Sequence, residues 1–165
     1  MMDGAFRDRR SAGRVLTAIL QRYVRRDDVA VVARARGGVP IAYEVARALH
    51  ASLDVLPEEG LVFPAVAGRT VILVDDGMAS AAPMGAAVAA VREHDAEQIV
   101  VAVPVAAAEA SAALRLLADH VVCALTPTPF GAVGAWYEHY APVGEDEIRR
   151  LLGRAVPAAR DLATA

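Results

Sequence analysis

Two adjacent carboxylates, Asp75 and Asp76, end the apolar run Thr70-Val71-Ile72-Leu73-Val74 and open a turn of small residues, Gly77-Met78-Ala79-Ser80-Ala81-Ala82-Pro83. The run is continuous and β-branched, as in a strand covered on both faces of a parallel sheet. A turn leading from such a strand into a helix presents unpaired backbone N–H groups and a partial positive charge, which suits a phosphate. Carboxylates just before it can accept hydrogen bonds from sugar hydroxyls or help hold Mg2+. Phosphate, sugar and acid pair in that order make a phosphoribose site. A tight strand-to-helix turn capped by Asp76 accounts for the same residues with no ligand at all.

A second anion-friendly turn is Arg34-Ala35-Arg36-Gly37-Gly38-Val39-Pro40. Paired glycines let the backbone approach a ligand or adopt positive φ. Successive N–H groups in such a turn form a nest for an anion, and Arg34 and Arg36 can grip phosphate oxygens bidentately. Solvated arginines on a flexible turn are the plain alternative.

The elements that must position these turns alternate. Strands are predicted at Val29–Ala33, Ser52–Leu56, Thr70–Val74, Ile99–Val105 and Val121–Leu125, with a small one at Leu61–Phe63. Helices are predicted at Ser11–Arg25, Ile41–Leu49, Met84–His94, Ala107–Ala118 and Glu145–Leu152. Alternation of this kind implies an α/β fold with one doubly wound, mainly parallel sheet flanked by helices. Ligands of such sheets sit at the carboxyl ends of the strands, where both turns lie. The 165 residues fit one domain, with 154–165 as a frayed tail.

Composition narrows the chemistry. All 17 basic residues are Arg, and there is no Lys and no Asn. Schiff-base lysines, Lys-dependent phosphate loops and N-linked glycosylation are therefore excluded. Any phosphate charge must be met by Arg, backbone N–H groups or metal. A net charge of −3 argues against a nucleic-acid binder. A single Cys, Cys123, and four scattered His offer no disulfide and no metal-ligand spacing. No apolar run approaches the ~18 residues of a membrane span. Asp3, Arg7, Asp8, Arg9 and Arg10 stand where a secretory leader needs an apolar core. A cytoplasmic protein is expected.

The stretch Val71–Ser80 resembles the PRPP-binding motif of type I phosphoribosyltransferases, and Arg34–Ala42 is similar to their pyrophosphate loop. Phe6–Gly13 and Pro129–Tyr137 resemble the ends of a bacterial subgroup of that family, so the resemblance spans about Phe6 to Leu152. It implies a single phosphoribosyltransferase-like domain that transfers phosphoribose to or from a nucleobase-like acceptor. Asp75 and Asp76 would take the ribose and touch Mg2+ indirectly. Gly77 to Pro83 would wrap the 5′-phosphate. Arg34, Arg36, Gly37 and Gly38 would line the pyrophosphate, held with Mg2+. The partner would be PRPP or another phosphorylated ribose, and the protein would form a homo-oligomer. Phe130, Trp136 and Tyr137 would supply a base-stacking platform, unless they simply cover the sheet edge or build a dimer contact, which suits a chain poor in large aromatics.

Two departures from the family stand out. Where its phosphate loop runs Thr-Gly-x-Thr, this chain has Ser80-Ala81-Ala82-Pro83. Ala81 costs about 1 kcal/mol if its backbone needs positive φ, and Pro83 lacks an N–H, so weakened phosphate binding is expected. Only Pro57–Arg69 joins the second strand to the Asp75 strand, too short for the family's mobile lid. A non-catalytic relative that binds a nucleotide, a phosphate or a protein is therefore the second reading.

Overall fold

A computed structural model describes residues 5–58 and 62–156. Its framework is a five-stranded sheet of β1 (Val29–Ala33), β2 (Ser52–Val55), β3 (Thr70–Val74), β4 (Gln98–Val105) and β5 (His120–Leu125). The order is β2-β1-β3-β4-β5 and every pairing is parallel. Each crossover is filled by helix or irregular chain, as parallel pairing requires. The helices are α1 (Arg9–Ile19), α2 (Val39–Leu49), α3 (Ala82–Glu93), α4 (Ala108–Arg115) and α5 (Glu145–Arg154).

Both faces of the sheet are covered, so β1 and β3 are buried at every residue. On one face Val31, Ile72, Val74 and Val100 meet Leu16 and Leu20 near α1, Ile41, Val45 and Leu49 of α2, and Leu151 of α5. On the other, Val32, Leu73, Val101 and Val103 meet Met84, Val88 and Val91 of α3 and Leu114 of α4. Each fully buried Val, Leu or Ile contributes about 1.5–3 kcal/mol. The result is the doubly wound α/β architecture that the alternation implies.

Several boundaries differ from the sequence expectation for physical reasons. Helix α1 starts at Arg9 because Asp8 caps it, accepting from the Ser11 N–H at 2.8 Å. It ends at Ile19, and Gln21–Tyr23 form a separate 3₁₀ turn. Strand β5, predicted at Val121–Leu125, starts one residue earlier at His120, forms the sheet edge and is only half-buried. Val62 and Phe63 carry no strand, and Leu61 of the predicted small strand lies outside the described residues. Of the predicted frayed tail, Arg154 closes α5 and Val156 bridges to Ser52; 157–165 lie outside the described residues. Among the described residues no helix is long and apolar enough to cross a membrane.

One close contact sets the helix packing. A Cβ on Gly13 would lie 2.9 Å from Glu44 Cβ and 3.0 Å from the Ile41 carbonyl, so the glycine lets α1 press against α2. Glu44, buried in that interface, accepts from Arg10 at 2.7 Å and Arg47 at 2.8 Å. In a chain without Lys, arginines supply the cations that answer this buried carboxylate.

Candidate functional site

From β1 the chain moves outward to β2, then returns to β3 and moves outward the other way to β4 and β5. The strand order therefore reverses between β1 and β3. The crevice at their carboxyl ends is the topological switch point, where open α/β sheets bind ligands. Both turns singled out in the sequence lie there, one after each strand.

The two turns touch. A Cβ on Gly37 would stand 2.6 Å from Asp76 Oδ2, and one on Gly38 would stand 2.8 Å from the Val74 carbonyl. Gly38 has φ −81°, and neither glycine of the pair adopts positive φ. Their purpose is close approach, not left-handed backbone. Gly38 N–H bonds back to Ala35. The N–H groups of Ala35, Arg36 and Gly37 have no acceptor among the described residues. Three neighbouring donors without a protein acceptor are what an anion nest requires.

The second turn is anchored at its start and free at its end. Met78 N–H donates to the Val105 carbonyl at 3.0 Å, Met78 O accepts from Ala107, and the Met78 side chain is buried. Met78 is thus structural, and usable donors begin one residue later. The N–H groups of Ala79, Ser80, Ala81 and Ala82 have no acceptor among the described residues, and Ala79, Ser80, Ala82 and Pro83 are exposed. These donors lead into the start of α3, whose dipole favours an anion. Ala81 has φ −79° and bears no strain, so the expected cost of replacing glycine there does not arise. Pro83 occupies the first turn of α3, where its missing N–H breaks no helical bond. No side chain caps α3, so Asp76 is not the cap of a plain strand-to-helix turn.

Asp75 and Asp76 are both buried. Asp75 Oδ1 accepts from the Asp76 N–H at 2.8 Å, and Asp75 Oδ2 from Arg34 Nε. Asp76 Oδ2 accepts from Tyr140 OH at 2.6 Å and from Arg9 Nε and Nη2 at 3.3 Å each. Arg34 therefore serves the acid pair directly. Arg36 points elsewhere, to Glu145 of α5 at 3.0 Å, in an exposed ion pair. Beside the first turn opens a cavity of about 890 Å³, lined by Arg34, Arg36, Leu56, Ile148, Arg149 and Leu152 among others.

Phe130, Trp136 and Tyr137 pack over the end of β4 with Phe6 and Val105. Trp136 and Tyr137 are buried, and Trp136 Nε1 donates to the Phe130 carbonyl. Tyr137 OH donates to the Asp76 carbonyl at 2.6 Å. Arg9 and Tyr140 were not singled out by the sequence reading. They come from opposite ends of the chain, and no local spacing links them to Asp76.

Burial and the neighbouring Asp76 charge push Asp75 up to about 6, against the opposing pull of Arg34. Tyr140 is pushed up to about 12 by burial and by donating to Asp76, and burial also raises Tyr137, so both phenols remain donors at neutral pH. The Asp75 shift has a definite sign for stability. The folded state keeps a proton that the unfolded chain loses near pH 4. Asp75 therefore contributes stability that is full below about pH 4 and is lost as the pH rises through about 6. Asp8, Asp28 and Asp119, held low by hydrogen bonds to Ser11, Arg26 and Ile99, lose their contributions only at more acid pH. In melts from pH 4 to 7, the stability of the wild type minus that of Asp75→Asn should fall to pH 6 and then level. A constant difference would show that Asp75 titrates normally.

No cluster of three or more His, Cys, Asp or Glu suited to a metal exists among the described residues. Three of the pair's four carboxylate oxygens already accept hydrogen bonds from protein groups.

The phosphoribosyl transferase domain family matches residues 8–134. A Mycobacterium tuberculosis protein named "Putative phosphoribosyl transferase Rv0571c" is 31% identical over 91% of this chain; the chain spans about half that protein's length, 47%. The crystal structure of TT1426 from Thermus thermophilus superposes with a TM-score of 0.80 at 32% identity, covering 89% of this chain and 97% of that one. Purine phosphoribosyltransferase from Pyrococcus horikoshii shares the fold, with a TM-score of 0.53 at 22% identity over 68% of this chain and 78% of its own.

Proposed function

Because the chain belongs to the phosphoribosyl transferase domain family, we propose that its switch-point crevice holds a phosphorylated ribose of the PRPP type and transfers the phosphoribosyl group to or from a nucleobase-like nitrogen. One observation carries the reading: a buried carboxylate pair stands between two backbone turns, each leading into a helix, in which the N–H groups of Ala35–Gly37 and Ala79–Ala82 have no acceptor among the described residues. Ribose hydroxyls suit the carboxylates, the 5′-phosphate suits Ala79–Ala82, and pyrophosphate suits Ala35–Gly37. Mg2+ belongs, in this reading, to the pyrophosphate and arrives with the ligand.

What the chain's residues would do is hold and orient. Displacing pyrophosphate from the ribose C1 passes through an oxocarbenium-like state, and the work of the protein is positioning and charge stabilisation. Asp75 and Asp76 fix the sugar, the start of α3 fixes its phosphate, and the first turn stabilises charge building on the departing group. No covalent nucleophile is needed, which suits a chain without Lys.

Calorimetry with PRPP and MgCl2 tests the proposal. Saturable heat is expected, and its absence at millimolar ligand would sink it. A second reading, binding without transfer, draws support from the connection between β2 and β3, whose described residues contain no helix or strand that could close over the crevice. Release of pyrophosphate on adding nucleobases to the PRPP complex separates the two.

A further inference from the structure

Asp76, read above as a ribose ligand, is already capped by protein groups from both ends of the chain. We propose that Arg9 and Tyr140 form a clasp that stands in for the sugar hydroxyls on Asp76, that a phosphoribosyl ligand must displace Tyr140 to bind, and that Tyr140 thereby sets the affinity and selectivity of the site. The inference rests on the phosphoribose reading and deepens it.

The clasp has a fixed part and a part free to leave. Phe6 N–H donates to the Trp136 carbonyl at 3.1 Å, Glu138 N–H to Phe6 and His139 N–H to Arg7 at 2.9 Å each, so the two arms are laced together. Tyr137 is buried and holds the Asp76 carbonyl; it anchors the arm. Tyr140, three residues on, is 38% exposed. Its phenol holds Asp76 Oδ2, and its ring lies 4.1 Å below the Arg9 guanidinium. Arg9 in turn reaches the Ala141 carbonyl at 2.6 Å. Gly134 makes room for the ring: a Cβ there would fall 2.7 Å from Tyr140 Cδ1. The Tyr140 ring is partly open to solvent, and its other ring neighbour is Tyr137, with centroids 5.2 Å apart.

A phenol and a ribose hydroxyl are donors of the same kind competing for one carboxylate oxygen. While Tyr140 is present, a ligand exchanges one hydrogen bond for another and gains little. Anions without a sugar avoid the competition, because they bind the turns and not Asp76. Removing the phenol lets the ligand hydroxyl make a new bond to a charged acceptor, an advantage of roughly ten- to a hundredfold in affinity.

The test is titration of wild type, Tyr140→Phe and Gly134→Ala with PRPP and MgCl2, by calorimetry and by the emission of Trp136, the single tryptophan, which sits in the clasp arm. Melting curves first confirm that each variant folds. Tyr140→Phe should bind PRPP ten- to a hundredfold more tightly. Gly134→Ala, which pushes the ring aside without touching the phenol, should also bind more tightly. Inorganic pyrophosphate should bind wild type and Tyr140→Phe alike. Measurable but equal PRPP affinities in wild type and Tyr140→Phe would overturn the clasp alone. No PRPP binding in any of the proteins would overturn the phosphoribose reading and the clasp with it.

Discussion

Arg34→Ala is expected to destabilise the protein by about 3 kcal/mol at pH 8 and to abolish binding of a phosphoribosyl ligand. The Asp75 side chain is only 5% exposed, and Arg34 is the cation that contacts it. Removing one partner of a buried pair leaves an uncompensated charge and typically costs about 3–5 kcal/mol; the lower end applies because Arg34 is itself 30% exposed. The loss should shrink in acid. Arg34 is what restrains the upward push on Asp75, so without it the carboxyl stays protonated to higher pH and carries no charge at pH 5. Urea unfolding at pH 5 and pH 8 measures both. In an Asp75→Asn background the effect of Arg34→Ala should largely disappear, because the charge it answers is gone. A loss below about 1 kcal/mol at pH 8, equal at both pH values, would show that the pair does not act as a unit.

This pairing also marks the limit of what the sequence could say. The strand ending in Asp75-Asp76 was legible because five consecutive apolar, largely β-branched residues admit little else, and both turns were legible from small residues following such runs. Their convergence followed from the parallel, alternating architecture, since consecutive crossovers bring strand ends to one edge. The partners of the acids were not legible. Arg34 lies 41 residues from Asp75, and Arg9 and Tyr140 lie 67 and 64 from Asp76. Such pairs are made by packing, here by α1 crossing α2 and by the 133–140 segment folding back over β4. Arg34 and Arg36 looked alike in the sequence; the structure divides them, one turned inward to the acid pair and one outward to Glu145. The replacement Ala81 looked costly only on the premise of positive φ, and the chain simply takes a helical conformation there.

Gly38→Ala carries the second large effect, and it tests the contact between the turns rather than any single ligand group. The new Cβ would stand 2.8 Å from the Val74 carbonyl and 3.1 Å from Asp75 Cα. Both are backbone atoms at the end of a buried strand, so no flexible side chain can yield. Because Gly38 has φ −81°, alanine fits its conformation, and the whole penalty is steric. Either the start of α2 or the end of β3 must move, at a cost of about 1–3 kcal/mol, or roughly 2–12 °C in Tm for a chain of this size. The separation of the first turn from the acid pair changes by a large fraction of an ångström, enough, if the crevice holds PRPP as proposed, to weaken its binding about a hundredfold. Gly153→Ala is the control: it lies in α5 with nothing within 4 Å of its Cβ, so the change should be neutral or stabilise by up to about 1 kcal/mol. Thermal melting and calorimetry on the two variants decide the matter. If Gly38→Ala melts with the wild type, the two turns are not in forced contact. Gly38 would then be left without a role, since freedom of φ, the other reason to place glycine there, is one it does not use.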